Sequence, residues 1–166
     1  MRKRFVLLTL GLFGTALSVQ AAAPDYRTIR MEIDVARPAA AVWKKIGGYC
    51  DISKWLPGTD CRIASGDGGI GTVRVLQGGK ITEVMVAQTR LSYGYTWPMV
   101  PGQFYNLYHG FLEARPVTAA TSKLFYTLLV DESDQADEAA KQADIARRRK
   151  MFEAALGRMK TVAEAP

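Results

Sequence analysis

One histidine limits the acid–base chemistry that this sequence can support. His109 and Glu113 stand four residues apart in a segment that reads as a strand, which puts both on one face at a separation of roughly 13 Å. The carboxylate is then too far away to orient the imidazole, and a meeting of His109 with Glu83 across strands stays open. No Ser-His-Asp or Cys-His set is supported. We assign no catalytic residue and keep proton transfer by His109 as an alternative.

Cys50 and Cys61 are the only cysteines of the chain. Two nearby cysteines in an oxidising compartment usually pair, and closing this short loop stabilises a fold by about 2–3 kcal/mol on a chain-entropy argument. Free or metal-binding thiols are the alternative. A zinc site would need further ligands, His109 lies far along the chain, and the CxxC spacing of redox proteins is absent. We predict a structural disulfide, with neither a metal nor a cofactor.

Aromatic side chains gather on one face of residues 91–97, where Leu91, Tyr93, Tyr95 and Trp97 alternate with Ser92, Gly94 and Thr96. Later strands add Tyr105, Tyr108, Phe125 and Tyr126. A buried phenol needs a hydrogen-bond partner, so several phenols suit a cavity that holds a ligand with apolar and polar parts. The alternative is that these rings fill the core. The candidate ligand contacts are Trp55, Tyr93, Tyr95, Trp97, Tyr105, His109, Tyr126 and Phe152.

The elements that must position these side chains are strands followed by one long helix. Period-2 alternation predicts a first strand from Tyr26, and two short helices follow at residues 39–46 and 52–55. Further strands are predicted at residues 61–65, 72–77, 80–87, 91–97, 104–115 and 121–130. The sequence does not decide which face of the 104–115 strand looks inward. Residues 134–163 show helical periodicity, with Ser133 or Asp134 as the N-cap.

Two glycine-rich stretches predict turns. Residues 66–71 match the pattern G-x-G-x-x-G, but a strand and not a helix follows them, so we interpret them as a hairpin connection and not as a dinucleotide site. Gly78-Gly79 predicts a two-residue hairpin turn.

The N-terminus reads as a targeting segment. Arg2, Lys3 and Arg4 precede an apolar run, and small residues at positions 19 and 21 predict cleavage after Ala21. An uncleaved anchor is the alternative, although the run is shorter than the ~20 residues that span a bilayer. We predict a signal peptide at residues 1–21, a periplasmic location and a single domain at residues 22–166. Removing the three basic residues lowers the net charge from +6 to +3, which gives little support for nucleic-acid binding.

The order β-α-α-β-β-β-β-β-β-α resembles the helix-grip, START-like superfamily, which includes birch-pollen-allergen-like proteins and the polyketide cyclase/dehydrase and lipid-transport type. The resemblance spans residues 26–162 and is carried by residues 31–35, 37–38, 41–43, 51–57, 69–74 and 113–116. It implies an α+β fold in which a seven-stranded antiparallel sheet wraps around the C-terminal helix and leaves a cavity. On that helix Arg147 to Lys150 read as a solvated basic run, with ligand contact by Arg148 or Arg149 as the alternative.

The resemblance implies fold more firmly than function. We expect an exported protein that holds a hydrophobic, aromatic or lipid-like ligand in the internal cavity, with no nucleic-acid partner and no stable membrane span. The first alternative is a periplasmic accessory factor that binds another protein, of the kind that assists a dehydrogenase. The second is a cyclase or dehydratase that uses His109.

Overall fold

Seven antiparallel strands form one sheet, against which a long C-terminal helix packs. The computed structural model describes residues 23–99 and 107–166. The strands are β1 (Tyr26–Val35), β2 (Cys61–Ser65), β3 (Val73–Leu76), β4 (Ile81–Thr89), β5 (Ser92–Thr96), β6 (Tyr108–Pro116) and β7 (Ser122–Asp131). The helices are α1 (Ala39–Ile46), α2 (Ile52–Trp55) and α3 (Glu138–Glu164). The sheet order is β1-β7-β6-β5-β4-β3-β2, so the predicted fold class, with two short helices between β1 and β2, is confirmed.

Strict alternation along β6 and β7 decides which side chains face the helix. In β7 the even-numbered residues are buried, among them Leu124, Tyr126 and Leu128. Tyr126 pairs with Leu112 of β6, and the even-numbered residues of β6 from Tyr108 to Ala114 are buried with it. Tyr108 therefore faces the core, whereas His109 and its odd-numbered neighbours lie on the outer face.

The helix α3 begins later than the sequence suggests. The prediction of Ser133 or Asp134 as N-cap is wrong, because the chain first turns after β7, where the Asp131 carboxylate accepts the backbone N–H of Ser133 at 3.0 Å. The true N-cap is Asp137, whose carboxylate accepts the N–H of Ala140 at 2.8 Å. The buried face of α3 consists of Phe152, Ala155, Leu156, Met159 and Ala163.

The turn between β3 and β4 is also longer than predicted. Instead of a two-residue Gly78-Gly79 turn, Gln77 to Gly79 form a single 3₁₀ turn before Lys80. Gln77, Gly78 and Gly79 all have positive φ, and the Asp60 carboxylate accepts the N–H of Gly78 at 3.0 Å. Residues 66–71 connect the antiparallel strands β2 and β3, as predicted.

A disulfide joins Cys50, between the two short helices, to Cys61 at the start of β2, with an S–S distance of 2.03 Å. The predicted pairing is thus confirmed, and it fixes the short helices to the β2 edge of the sheet. Within residues 23–99 and 107–166, no helix combines the length and apolar character needed to cross a membrane. The predicted signal peptide at residues 1–21 lies outside the described residues.

Candidate functional site

A cavity of about 260 Å³ lies between the sheet, the α2 region and the middle of α3. Nine of its fourteen lining side chains are aliphatic or aromatic, so the surface offered to an occupant is mainly apolar. These are Ile52, Leu56, Leu76, Ile81, Tyr95, Trp97, Tyr108, Met151 and Phe152. The polar lining residues are Thr59, Gln77, Glu83, Arg147 and Arg148.

Stacked aromatic rings build the sheet side of this cavity. Trp97 lies on Tyr108 with ring centroids 4.3 Å apart and an interplanar angle of 14°. Tyr95 is 6.4 Å from Tyr108, and Phe152 of α3 is 4.4 Å from Tyr126 of β7. Each contact of this kind contributes about 0.5–1.5 kcal/mol beyond area burial and favours one orientation of the ring.

Two buried phenols satisfy one another, Tyr95 in the cavity wall and Tyr126 behind it. The hydroxyls of Tyr95 and Tyr126 are 2.7 Å apart, and either can donate. Burial raises the pKa of both residues well above the usual range, because ionisation would place a charge in an apolar environment. Both phenols therefore stay neutral and act as hydrogen-bond groups and not as bases.

A fully buried ion pair supports the β3–β4 side of the cavity. Arg74 donates through Nε to Glu83 at 2.7 Å and through Nη1 to the carbonyl of Tyr49. Its guanidinium also lies 5.0 Å from the centroid of the Tyr95 ring. The second carboxylate oxygen of Glu83 accepts the indole N–H of Trp97 at 3.3 Å. Burial raises the pKa of Glu83 and the Arg74 charge opposes that rise. The hydrogen bonds from Arg74 and Trp97 hold the carboxylate in place.

A second buried acidic residue, Glu132, lies next to Arg148 of α3. Glu132 follows β7 and is completely buried, with its Oε1 3.8 Å from Nε of Arg148. Arg148 itself donates to Asp144, and its guanidinium lies 5.2 Å from the Tyr108 ring centroid. Desolvation, reinforced by the Asp144 charge and opposed by Arg148, raises the pKa of Glu132 to about 7.

The predicted ligand contacts separate into distinct groups. Tyr95, Trp97 and Phe152 line the cavity. Trp55, Tyr93 and Tyr126 are buried in the core behind it, where each ring packs on another aromatic side chain. Tyr105 lies outside the described residues.

His109 is placed apart from all of these residues. It sits on the outer face of β6, paired in register with Thr96 and Leu129, and its ring is 6.4 Å from that of Phe111. It does not line the cavity, and the meeting with Glu83 does not occur because Glu83 points inward from β4. Partial burial lowers the pKa of His109. The assignment of His109 to the cavity is therefore corrected by the alternation along β6.

Sequence reasoning missed most of the polar groups at this site. The sequence pattern does not mark Arg74 or Glu132 as site residues, and it suggests Glu83 only as a partner for His109. The signal for the ion pair was the hairpin register, because Arg74 and Glu83 pair directly across β3 and β4. Glu132 continues the inward alternation of β7 by one residue. Among the residues that the structure describes, no three His, Cys, Asp or Glu side chains form a group able to hold a metal ion.

Comparison with known proteins agrees with this architecture. A family model described as polyketide cyclase / dehydrase and lipid transport matches residues 26–164, whereas no curated protein matches the sequence significantly. Among solved structures, a Thermobifida fusca protein determined by NMR is 24% identical, with 80% of this chain and 90% of the other covered and a TM-score of 0.66.

Two named enzymes share the fold. The Zhui aromatase/cyclase from Streptomyces sp. R1128 is 20% identical, with 84% of this chain and 94% of that chain covered and a TM-score of 0.64. Truncated norcoclaurine synthase from Thalictrum flavum is 14% identical, with 89% and 99% covered and a TM-score of 0.66. At these identities the likeness concerns the fold. The family match over residues 26–164 shows that the chain belongs to the polyketide cyclase/dehydrase and lipid-transport family, with the helix-grip, START-like fold.

Proposed function

We propose that the protein is an exported binding protein that holds one small hydrophobic or aromatic molecule in the cavity between the sheet and α3. The observation that carries this proposal is the cavity itself, with a volume of about 260 Å³ and nine apolar or aromatic side chains among its lining. Burial of apolar ligand surface against such a lining is favourable at about 25 cal/mol per Å². The family to which the chain belongs supports the same class of ligand.

The size and shape of the cavity favour a compact ligand. Drug-sized ligands occupy pockets of ~300–1,000 Å³, so a volume of about 260 Å³ suits a body of one or two rings and not a long acyl chain held entirely inside. The stacked pair Trp97 and Tyr108 presents ring surface to that body. Ring stacking adds about 0.5–1.5 kcal/mol to the free energy of simple area burial.

Export is the part of the proposal that rests on the N-terminal sequence. The disulfide between Cys50 and Cys61 supports it, because disulfides persist mainly in oxidising compartments such as the periplasm. The accessory-factor alternative has no comparable support among the described residues. A reaction at this cavity through His109 is not proposed, since that side chain lies on the outer face of β6.

Thermal unfolding in the presence of neutral aromatic alcohols, from phenol to phenylbutanol, tests the binding proposal. Binding to the folded state stabilises it by RT ln(1 + L/Kd) at a free ligand concentration L, so Tm rises as the ligand concentration exceeds Kd. Ile81→Trp fills the cavity and should abolish the rise, whereas Ile63→Trp, at an exposed position on β2, should preserve it. Leu56→Trp is a second cavity-filling variant in case the first does not fold. If no alcohol stabilises the wild type, or if the filled variants respond as the wild type does, the proposal is wrong.

A further inference from the structure

We infer that the ligand is an amphipathic anion whose charged group binds in a basic groove between the α2 region and α3, next to the cavity. This inference rests on the proposed function and adds a second subsite to it. The groove has a volume of about 480 Å³. Its charged lining residues are Arg147, Lys150 and Arg158, and Leu56, Pro57 and Met151 supply apolar surface beside them.

The groove and the cavity form one continuous site. Leu56, Thr59, Gln77, Arg147 and Met151 line both of them. Met151 is partly exposed, with 36% of its surface accessible, so apolar surface continues from the interior out to the groove. An apolar body in the cavity would thus carry any substituent that extends toward the groove directly to the basic side chains.

The three basic residues form a stripe along one side of α3. Arg147, Lys150 and Arg158 follow the helical spacing of three or four residues per step, with Ala154 between the last two. From the first to the last the stripe is about 16 Å long at ~1.5 Å per residue. Arg147 and Lys150 are near enough along the helix for like-charge repulsion, and Arg158 lies about 12 Å beyond Lys150 along the axis.

Lys150 and Arg158 differ from the other basic residues of α3 in having no carboxylate partner among the described residues. Four other cations of the helix each reach a carboxylate: Lys141 with Asp25, Arg148 with Asp144, Arg149 with Glu153, and Lys160 with Glu164. Neither Lys150 nor Arg158 forms an ion pair with any carboxylate side chain that the structure describes, and residues 1–22 and 100–106 contain no Asp or Glu. Among the described residues no carboxylate lines the groove, so the charges of Lys150 and Arg158 are uncompensated there.

The chemistry of the groove identifies the charged group as a carboxylate, sulfate or phosphate. Arg147 is itself ion-paired, since its Nε (at 3.0 Å) and its Nη2 both donate to the Asp144 carboxylate, so Lys150 and Arg158 supply the unpaired charge. Guanidinium groups bind planar or tetrahedral oxyanions through paired N–H donors, and lysine adds a point charge. A ligand with a ring in the cavity and an oxyanion in the groove would therefore match both parts of the site.

Calorimetric titration with phenylbutanoate and phenylbutanol separates the two subsites, because the probes share a ring and chain and differ in the charged group. Wild-type protein should bind phenylbutanoate about tenfold more tightly at low salt, with the advantage shrinking as ionic strength rises. The double variant Lys150→Gln/Arg158→Gln should lose that advantage and keep its affinity for phenylbutanol. Arg62→Gln/Arg90→Gln, which removes two exposed charges elsewhere, is the matched control and should behave as the wild type.

Each contrary result has a distinct meaning. If phenylbutanol binds but phenylbutanoate binds no more tightly, the anion subsite is refuted and the proposed function stands. If neither probe binds, the proposed function fails and the subsite with it. Cosedimentation with phosphatidylglycerol vesicles that needs Lys150 and Arg158, without loss of phenylbutanoate affinity in the variant, would overturn the inference in favour of a lipid surface.

Discussion

Replacing Glu132 with glutamine should stabilise the protein above pH 7 and change it little near pH 5. Glu132 is completely buried, and no side chain or backbone donor that the structure describes bonds to either carboxylate oxygen. The nearest cation is Arg148, at 3.8 Å from Oε1, and that guanidinium is already bonded to Asp144. The folded state therefore holds the protonated carboxyl more readily than the unfolded state does.

The size of the effect follows from the two pKa values. The pKa of Glu132 rises from 4.5 to about 7 on folding, and each pH unit corresponds to about 1.4 kcal/mol. Between these values the folded chain binds one more proton than the unfolded chain, so the free energy of unfolding falls as pH rises through this window. The total loss from this group is about 3 kcal/mol once pH exceeds 7. Glutamine, which does not ionise, escapes that loss.

Urea unfolding of the wild type and Glu132→Gln at pH 5 and pH 8 measures the effect. The free energy of unfolding of the variant, relative to that of the wild type, should increase by about 2–3 kcal/mol from pH 5 to pH 8. Glu153→Gln, at an exposed position on α3, is the control. Its free energy of unfolding should stay within about 0.5 kcal/mol of the wild-type value at both pH values. A Glu132→Gln difference that does not change with pH would show that Glu132 has an ordinary pKa and would refute the reasoning.

Four further substitutions test the packing and the disulfide. Tyr126→Phe leaves the Tyr95 hydroxyl without its 2.7 Å partner and should cost about 1–2 kcal/mol in urea unfolding; no loss would contradict the pairing. Gly110→Ala would place a methyl group 2.2 Å from the Tyr95 ring and should cost about 1–3 kcal/mol, whereas Gly157→Ala, with nothing within 4 Å, should gain up to about 1 kcal/mol. Equal effects at the two glycines would be inconsistent with this packing. Cys50→Ser removes the disulfide and should cost about 3 kcal/mol, a loss absent when both proteins are compared under reducing conditions.

The order and type of the elements could be predicted because their periodicities differ sharply. Alternation of the kind seen in β1 and the helical spacing of Phe152, Leu156 and Met159 are local signals. The start of α3 is harder to predict from the sequence, because several residues after β7 are chemically able to cap a helix. Asp137 caps it because the preceding residues are committed to a turn that Asp131 stabilises.

The inward face of β6 could not be derived from its own sequence. Aromatic residues occupy both faces, with Tyr108 on one and Phe111 on the other, so local hydrophobicity does not choose between them. The pairing with β7 makes the choice, since Leu112 lies opposite the buried Tyr126. The placement of His109 depends on the same long-range pairing, which explains why it was assigned to the cavity.

The buried ion pair illustrates a different difficulty. A charged residue in an amphipathic strand normally indicates the solvent face, so Arg74 reads as an outward position when β3 is considered alone. Only the hairpin register reveals that Glu83 stands opposite it. The surrounding aromatic rings complete the environment, with the guanidinium 4.1 Å from the centroid of Tyr49. Burial of both charges becomes tolerable because each satisfies the other.

Native mass spectrometry of the protein isolated from its own cell envelope tests the central claim most directly. The account predicts one small molecule bound per chain, released by solvent extraction, with a compact apolar body and an anionic group. It also predicts that the isolated Ile81→Trp variant carries no such mass, because the cavity that would hold it is filled. A wild-type protein that arrives empty, and that no aromatic probe stabilises, would contradict the account.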